Sequence, residues 1–214
     1  MNENMNGNEK ISEAVIRRLP KYYRYLCDLD SLGLERISSS AMSKGMALNA
    51  SQIRRDLNCF GGFGQQGYGY SVKNLKQEIR KILAIDKNYN VVIIGSGNIG
   101  QALAKYKSFS SEGYTIKAIF DIDTSRVGSI INKIVVRHLD EMDVYLDETE
   151  INIGILATPK EAAQDIADTL IEGGVTGIWN FAPIDVDGKG KADVENVHLS
   201  DGLYVLSYHM KDKE

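Results

Sequence analysis

The stretch Gly95-Ser96-Gly97-Asn98-Ile99-Gly100 constrains the fold more than any other part of this 214-residue chain. A lone G-x-G-x-x-G is common, but this one follows Val91-Val92-Ile93-Ile94, a β-branched run suited to a parallel strand buried on both faces. It leads into Ala102, Leu103 and Ala104, which favour helix, and Asp121 stands 21 residues past Gly100, after the apolar segment 116–120. Strand, glycine turn, helix, second strand and terminal acid form the dinucleotide-binding half of a Rossmann sheet. There Gly95 permits the tight turn, Gly97 lets the backbone approach a pyrophosphate, and Gly100 lets helix and strand pack closely. Free amides and the positive end of the helix dipole hold the phosphate charge. Asp121 is placed to accept hydrogen bonds from the ribose 2′- and 3′-hydroxyls, and its charge repels a 2′-phosphate. The segment reads as a site for NAD+ or NADH in preference to NADP(H), built from Gly95, Ser96, Gly97, Asn98, Ile99, Gly100 and Asp121.

Further strands are predicted at 116–120, 134–136, 153–157 and 177–180, alternating with helices at 100–109, around 142–146 and at 160–172. That alternation gives an α/β, doubly wound parallel sheet over residues 86–198. Residues 1–85 follow another pattern. Apolar positions Ile11, Val15, Leu19, Tyr22 or Tyr23, Leu26 and Leu29 predict a helix over 11–32, bent or restarted near Leu19 by Pro20 and ended by Gly33. Arg36 and Ile37 form a short extended piece. Ser38, Ser39 or Ser40 caps a second helix through Met46, and Asn49 or Ser51 caps a third that carries Ile53 to Leu57 and Phe60. With a turn around 45–48 this is a helix-turn-helix. Five glycines fall within residues 61–69, a composition that suits a β-hairpin tip and supplies a wing. A helix over 71–85, with Leu75, Ile79, Ile82 and Leu83 on one face, closes a winged helix-turn-helix domain. A terminal helix at 199–210 sets Leu203, Leu206 and Met210 in a stripe that nothing in the chain obviously covers, so a partner subunit is the candidate.

Net charge is −4, but it is unevenly spread. Residues 1–85 hold 13 Lys and Arg against 8 Asp and Glu, a net of +5, and the remainder holds 12 against 21, a net of −9. The first part suits a polyanion and the second a small molecule, although solvated surface charge is the plainer reading. No apolar run reaches the roughly 18 residues of a membrane span, and the N-terminus lacks a secretory pattern, so a cytoplasmic protein is expected. Cys27 and Cys59 read as packing residues, and the cysteines and histidines lack metal-ligand spacing. A dehydrogenase needs an acid or base over the nicotinamide and a substrate domain. His138, His198 and His209 stand beside no recognisable catalytic pattern, and residues 1–85 have another task. Sensing the cofactor is therefore preferred to catalysis, with an NAD-dependent oxidoreductase carrying a basic appendage as the alternative.

Six segments, ISEAVIRRLPKYYRYL, ASQIRRDLNCFGGFGQQGYGY, VVIIGSGNIGQALAKY, FDID, LATPKEAAQDIAD and NFAP, carry a resemblance that covers nearly the whole chain. The sequence resembles the Rex family of redox-sensing transcriptional repressors. The resemblance implies a homodimer that binds a palindromic operator DNA when NAD+ prevails and leaves it when NADH rises, with the terminal helix, residues 199–214, swapped between subunits. It places Arg54 and Arg55 on the recognition helix, with Gln52 and Asn58 as further DNA-binding residues, and Arg forks suit guanine edges or phosphates. Ser39, Ser40, Ser51, Phe60 and Gln66 complete the DNA-binding set. Tyr106 is implied beside the nicotinamide and in an interdomain switch with Arg24. Thr158 and Pro159 match a cofactor-contacting turn, and Asn180, Ala182 and Pro183 match a segment beside the nicotinamide. Two departures stand out. Gln65 and Gln66 replace a basic wing tip, which weakens attraction to the minor groove, and His198 stands in a stretch where the family tends to have an aspartate.

Overall fold

Residues 11–65 and 68–211 are described by the computed structural model, and they fall into two units, Met1–Lys87 and Asn88–Glu214. In the first unit α1 (Glu13–Ile16) stops at Arg17 and α2 (Leu19–Ser31) restarts with Pro20 in its first turn, where a missing N–H costs nothing. α2 buries Leu19, Tyr22 and Leu26. Ser38 caps α3 (Ser39–Met46) by accepting from the Ala41 amide at 3.1 Å, and Asn49 caps α4 (Ala50–Asn58) through the Ser51 amide at 2.8 Å. The reversal between them is made by Ala47, at φ 51°, rather than by Gly45. Gly45 lies inside α3, where a Cβ would stand 2.1 Å from the Tyr25 hydroxyl, so it is small for packing. β1 (Arg36–Ile37) and β2 (Gly64–Gln65) both pair antiparallel with β3 (Gly69–Ser71), and α5 (Val72–Ile82) follows, capped by Ser71. Of the wing tip expected at Gln65 and Gln66, Gln66 lies outside the described residues. Leu19, Tyr22, Leu26, Met42, Ile53, Leu57, Leu75 and Ile79 form the core of this unit.

The second unit is a seven-stranded sheet. Its strands are β4 (Tyr89–Ile94), β5 (Tyr114–Asp121), β6 (Ile130–Ile131), β7 (Ile134–His138), β8 (Ile153–Leu156), β9 (Gly177–Asn180) and β10 (Asp193–Asn196). They lie in the order β10-β9-β8-β4-β5-β7-β6, and all pair parallel except β6. Alternation along β4 sends Val92 and Ile94 to one face and Val91 and Ile93 to the other. α8 (Met142–Glu148) and α9 (Lys160–Glu172) cover the first face with Met142, Leu146, Ala163, Ile166 and Leu170. α6 (Asn98–Ala104) packs on the second.

Three expectations are corrected. The helix expected over 100–109 is two, α6 and α7 (Ser108–Ser111), because the Asn132 side-chain amide donates to the Ala104 carbonyl at 2.8 Å and caps α6 there. β6 and β10 were not anticipated. β6 joins β7 through Asn132 and Lys133, both at positive φ, and β10 is a polar edge strand that adds parallel to β9. The terminal helix, α10 (Asp201–Met210), is apolar on more than one stripe: Leu203, Tyr204, Val205, Leu206, Tyr208 and Met210 are all exposed. Among the described residues no helix is long and apolar enough to cross a membrane.

Candidate functional site

Strand order in the sheet reverses between β4 and β8, and in doubly wound sheets the crevice at the carboxyl ends of such a pair holds the ligand. Gly95 leaves β4 at φ 97°, so close to the next loop that a Cβ would lie 2.4 Å from the Ala157 carbonyl oxygen. Its amide donates to the Phe120 carbonyl, and the Ala157 amide to that of Ile94, both at 2.8 Å, which ties three strand ends together. At Gly100 a Cβ would strike the Gly95 carbonyl at 1.9 Å. Gly97 differs: the nearest atom to an added Cβ is Arg126 Nη1 at 3.7 Å, an ordinary contact with a side chain rather than a clash with backbone. Across the crevice Thr158 Oγ1 is buried with no hydrogen-bond partner, an orphaned polar atom that a bound ligand would satisfy. Pro159 follows it as the N-cap of α9.

Asp121 ends β5 with its carboxylate turned onto the loop. Oδ2 accepts from the Ser96 amide at 2.7 Å and from Ser96 Oγ at 2.5 Å, and Oδ1 accepts from the Asp123 amide at 2.9 Å. Burial works against the charge, but the hydrogen bonds from Ser96 and Asp123 and the charge of Arg126 outweigh it and hold the carboxyl below its ordinary range. A carboxylate has about four acceptor positions, so about one remains for a ribose hydroxyl. Arg126, absent from the sequence reading, donates from Nη1 to the Ser96 carbonyl at 3.0 Å and from Nε to Asp123 Oδ2 at 3.1 Å. A glycine at 97 with no backbone crowding it, the unpartnered Thr158 hydroxyl and an ionised Asp121 together fit a dinucleotide.

The second surface is α4. Ile53, Asp56 and Leu57 face the core, while Ser51, Arg54, Arg55 and Asn58 are exposed and Gln52 is half-buried. Arg54 Nη1 donates to Ser39 Oγ at 2.9 Å, joining the outer face of α4 to the start of α3, where Ser40 is exposed. Phe60 packs against the core of the unit, so the structure gives it a packing task, and Gln66 lies outside the described residues. The buried Asp56 takes both Arg18 Nε (2.6 Å) and Nη2 (2.8 Å) and the Tyr22 hydroxyl (2.6 Å). The helical periodicity of the sequence assigns Asp56 no partner, so this anchor is visible only in three dimensions.

Residues 10–58 match a family model described as a putative DNA-binding protein N-terminus, and residues 86–184 one described as a CoA binding domain. The redox-sensing transcriptional repressor Rex of Clostridium novyi (strain NT) is 52% identical over 95% of this chain and 97% of its own. That of Caldicellulosiruptor bescii is 48% identical over 96% and 94%. The chain belongs to the Rex family. Among solved structures, RSP, a Rex-family repressor, in complex with β-NAD+ and operator DNA superimposes with a TM-score of 0.90 at 48% identity, covering 95% of this chain and 94% of that one. RSP in complex with β-NADH gives 0.88 at 45%, covering 95% and 96%.

Of the residues implied by family resemblance, Tyr106 is exposed in the link between α6 and α7, where its ring meets that of Phe109 edge-on at 4.9 Å. Phe109 in turn meets Trp179 at 6.0 Å, and Trp179 meets Phe181 at 4.7 Å. Phe109 and Trp179 also line, with Val91, Tyr114, Ile153 and Ile155, an apolar cavity of about 280 Å³ on the second face of the sheet, away from the crevice. Asn180 is fully buried and its amide is consumed: Nδ2 donates to the Ile184 carbonyl and to Asn196 Oδ1, and Oδ1 accepts from the Ala182 amide. Asn180 and the buried Ala182 shape the loop, and Pro183 is its exposed part. His198 Nε2 lies 2.8 Å from Asp185 Oδ1, a contact that raises the imidazole pKa. Arg24 is exposed on α2.

Proposed function

We propose that this protein is a repressor that holds operator DNA when NAD+ prevails and releases it when NADH binds. The observation that carries the reading is the union, in one chain, of a recognition helix presenting Arg54 and Arg55 with a dinucleotide crevice whose Asp121 is held ionised. The named relatives are transcriptional repressors, and the RSP complexes contain β-NAD+ with operator DNA and β-NADH. The bound dinucleotide would supply a nicotinamide whose charge and ring shape change with redox state. Around it Gly97 gives backbone access to the pyrophosphate, Thr158 Oγ1 donates or accepts one hydrogen bond, and Asp121 takes a ribose hydroxyl. Asn180 fixes the loop beside the ring, and the switch is assigned to Arg24 and Tyr106. On the DNA side Arg54 and Arg55 meet base edges or phosphates, with Ser39, Ser40, Ser51, Gln52 and Asn58 around them.

Two cofactor states shift an equilibrium only if they favour its two sides unequally, and moving from mostly bound to mostly free takes about 3 to 5 kcal/mol of differential binding. The exposed apolar surface of α10 and the open cavity beside Trp179 support a homodimer in which each α10 is covered by the other copy. The domain limits proposed are 1–85, 86–198 and 199–214, the last as the dimerisation helix. Binding of a labelled operator fragment, measured at one stated salt concentration with NAD+, with NADH and with neither, tests the reading. Tight binding with NAD+ and release by NADH is expected, and retention on DNA in saturating NADH would refute a sensor.

A further inference from the structure

We infer that Arg126 is a latent anchor for the 2′-phosphate of NADP(H), and that Asp121 keeps it from acting as one. The inference deepens the dinucleotide reading and rests on it. Rossmann crevices select NAD(H) with an acid at the end of the second strand and NADP(H) with an arginine nearby. This chain holds both, on opposite ends of one residue. Asp121 takes the amide and hydroxyl of Ser96, while Arg126 donates to the Ser96 carbonyl. Arg126 Nη1 is also the nearest atom to the vacant Cβ position of Gly97, where a dinucleotide backbone has its access.

The guanidinium is equipped for a phosphate. Two of its hydrogen bonds are accounted for, one to Ser96 and one to Asp123 Oδ2, its side chain is 43% exposed, and an arginine carries five donors. Asp123 holds it in place and is itself fixed by the Ser125 amide and hydroxyl. Asp121, Asp123 and Arg126 together carry a net charge of −1, which repels a second anion. With Asp121 neutral, Asp123 and Arg126 cancel, and the guanidinium keeps donors beyond its bonds to Ser96 and Asp123 for an incoming phosphate, with the Asp121 charge no longer opposing it. A bidentate arginine contact to phosphate is a strong, charge-assisted interaction.

The test is a fluorescence titration of NADH and NADPH into the full-length protein and its D121N, R126A and D121N/R126A variants. D121N keeps the shape and, with its oxygen turned to Ser96, the acceptor there, while removing the charge and the acceptor for the Asp123 amide. It is expected to raise NADPH affinity about tenfold or more, and the double variant is expected to lose that gain. If D121N/R126A holds NADPH as tightly as D121N, Arg126 is not the anchor. If D121N binds NADH with no gain for NADPH, the carboxylate is not what silences it. Circular dichroism checks folding, and D121S gives the same comparison if the amide disrupts the loop. A wild-type protein that binds neither nucleotide would overturn the dinucleotide reading itself, an outcome distinct from either failure of Arg126.

Discussion

Asp56 is an acid in the middle of α4, and by charge alone it belongs on the solvent side with Arg54 and Arg55. It is instead almost completely buried, facing Arg18 and Tyr22, and those two bonds fasten α4 to the start of α2. Burial disfavours its charge, but hydrogen bonds from Arg18 and Tyr22 prevail and lower the carboxyl pKa, while burial and Asp56 raise that of the Tyr22 phenol. Removing Asp56 leaves the Tyr22 hydroxyl buried without its acceptor and the half-buried Arg18 without its counter-ion. Asp56→Ala should cost about 3 kcal/mol, the low end for a broken buried pair because Arg18 is a quarter exposed. A denaturant melt of the purified protein measures it. The pH dependence has a definite sign. A carboxyl lowered in the folded state contributes stability that is complete above its unfolded value of about 3.9 and is lost as pH falls through the folded value. The wild-type melting temperature should therefore drop on acidification below about pH 4, and D56N should flatten that slope; an unchanged slope would remove Asp56 from the account.

At the scale of elements, legibility in the sequence follows how local the cause is. α9 occupies 160–172, as its periodicity predicts, because Pro159 and Gly173 bound it within the chain itself. The glycine loop was legible because its spacing encodes contacts between near neighbours, such as Gly100 against Gly95. The β6–β7 hairpin was not, since Lys133 takes a positive φ where a glycine would have signalled the turn. β10 is polar at a sheet edge and has no apolar alternation to read. The end of α6 and the placement of Arg126 depend on Asn132 and Ser96, 28 and 30 residues away in sequence. α4 itself was readable, since Ile53 and Leu57 recur at helical spacing and leave Arg54 and Arg55 outward. Arg54→Ala should weaken operator binding by about 1 to 3 kcal/mol and leave NADH affinity unchanged, as read by DNA-binding and nucleotide titrations on the same sample. Loss of both would indicate an unfolded protein rather than a lost base contact.

Across the whole molecule, α10 presents Leu203, Tyr204, Val205, Leu206, Tyr208 and Met210 to solvent in a single copy, and neighbouring exposed apolar side chains of this kind mark an interaction surface. A helix of this kind is stabilised by burial, and a second copy with its own open cavity beside Trp179 offers a surface of matching character. Dimerisation also bears on DNA affinity. In the proposed homodimer two recognition helices joined in one particle would engage two half-sites, the second contact being made at a high effective concentration instead of from bulk solution. Replacing Leu203 and Leu206 by Asp changes only exposed positions, so each copy should fold and keep NADH affinity. It should nevertheless run as a monomer in light-scattering chromatography and lose about a hundredfold or more in operator affinity. If that double variant remains a dimer with full operator affinity, α10 is not the element that joins the copies. If it becomes a monomer yet binds operator as tightly as before, one winged helix suffices and the half-site argument fails.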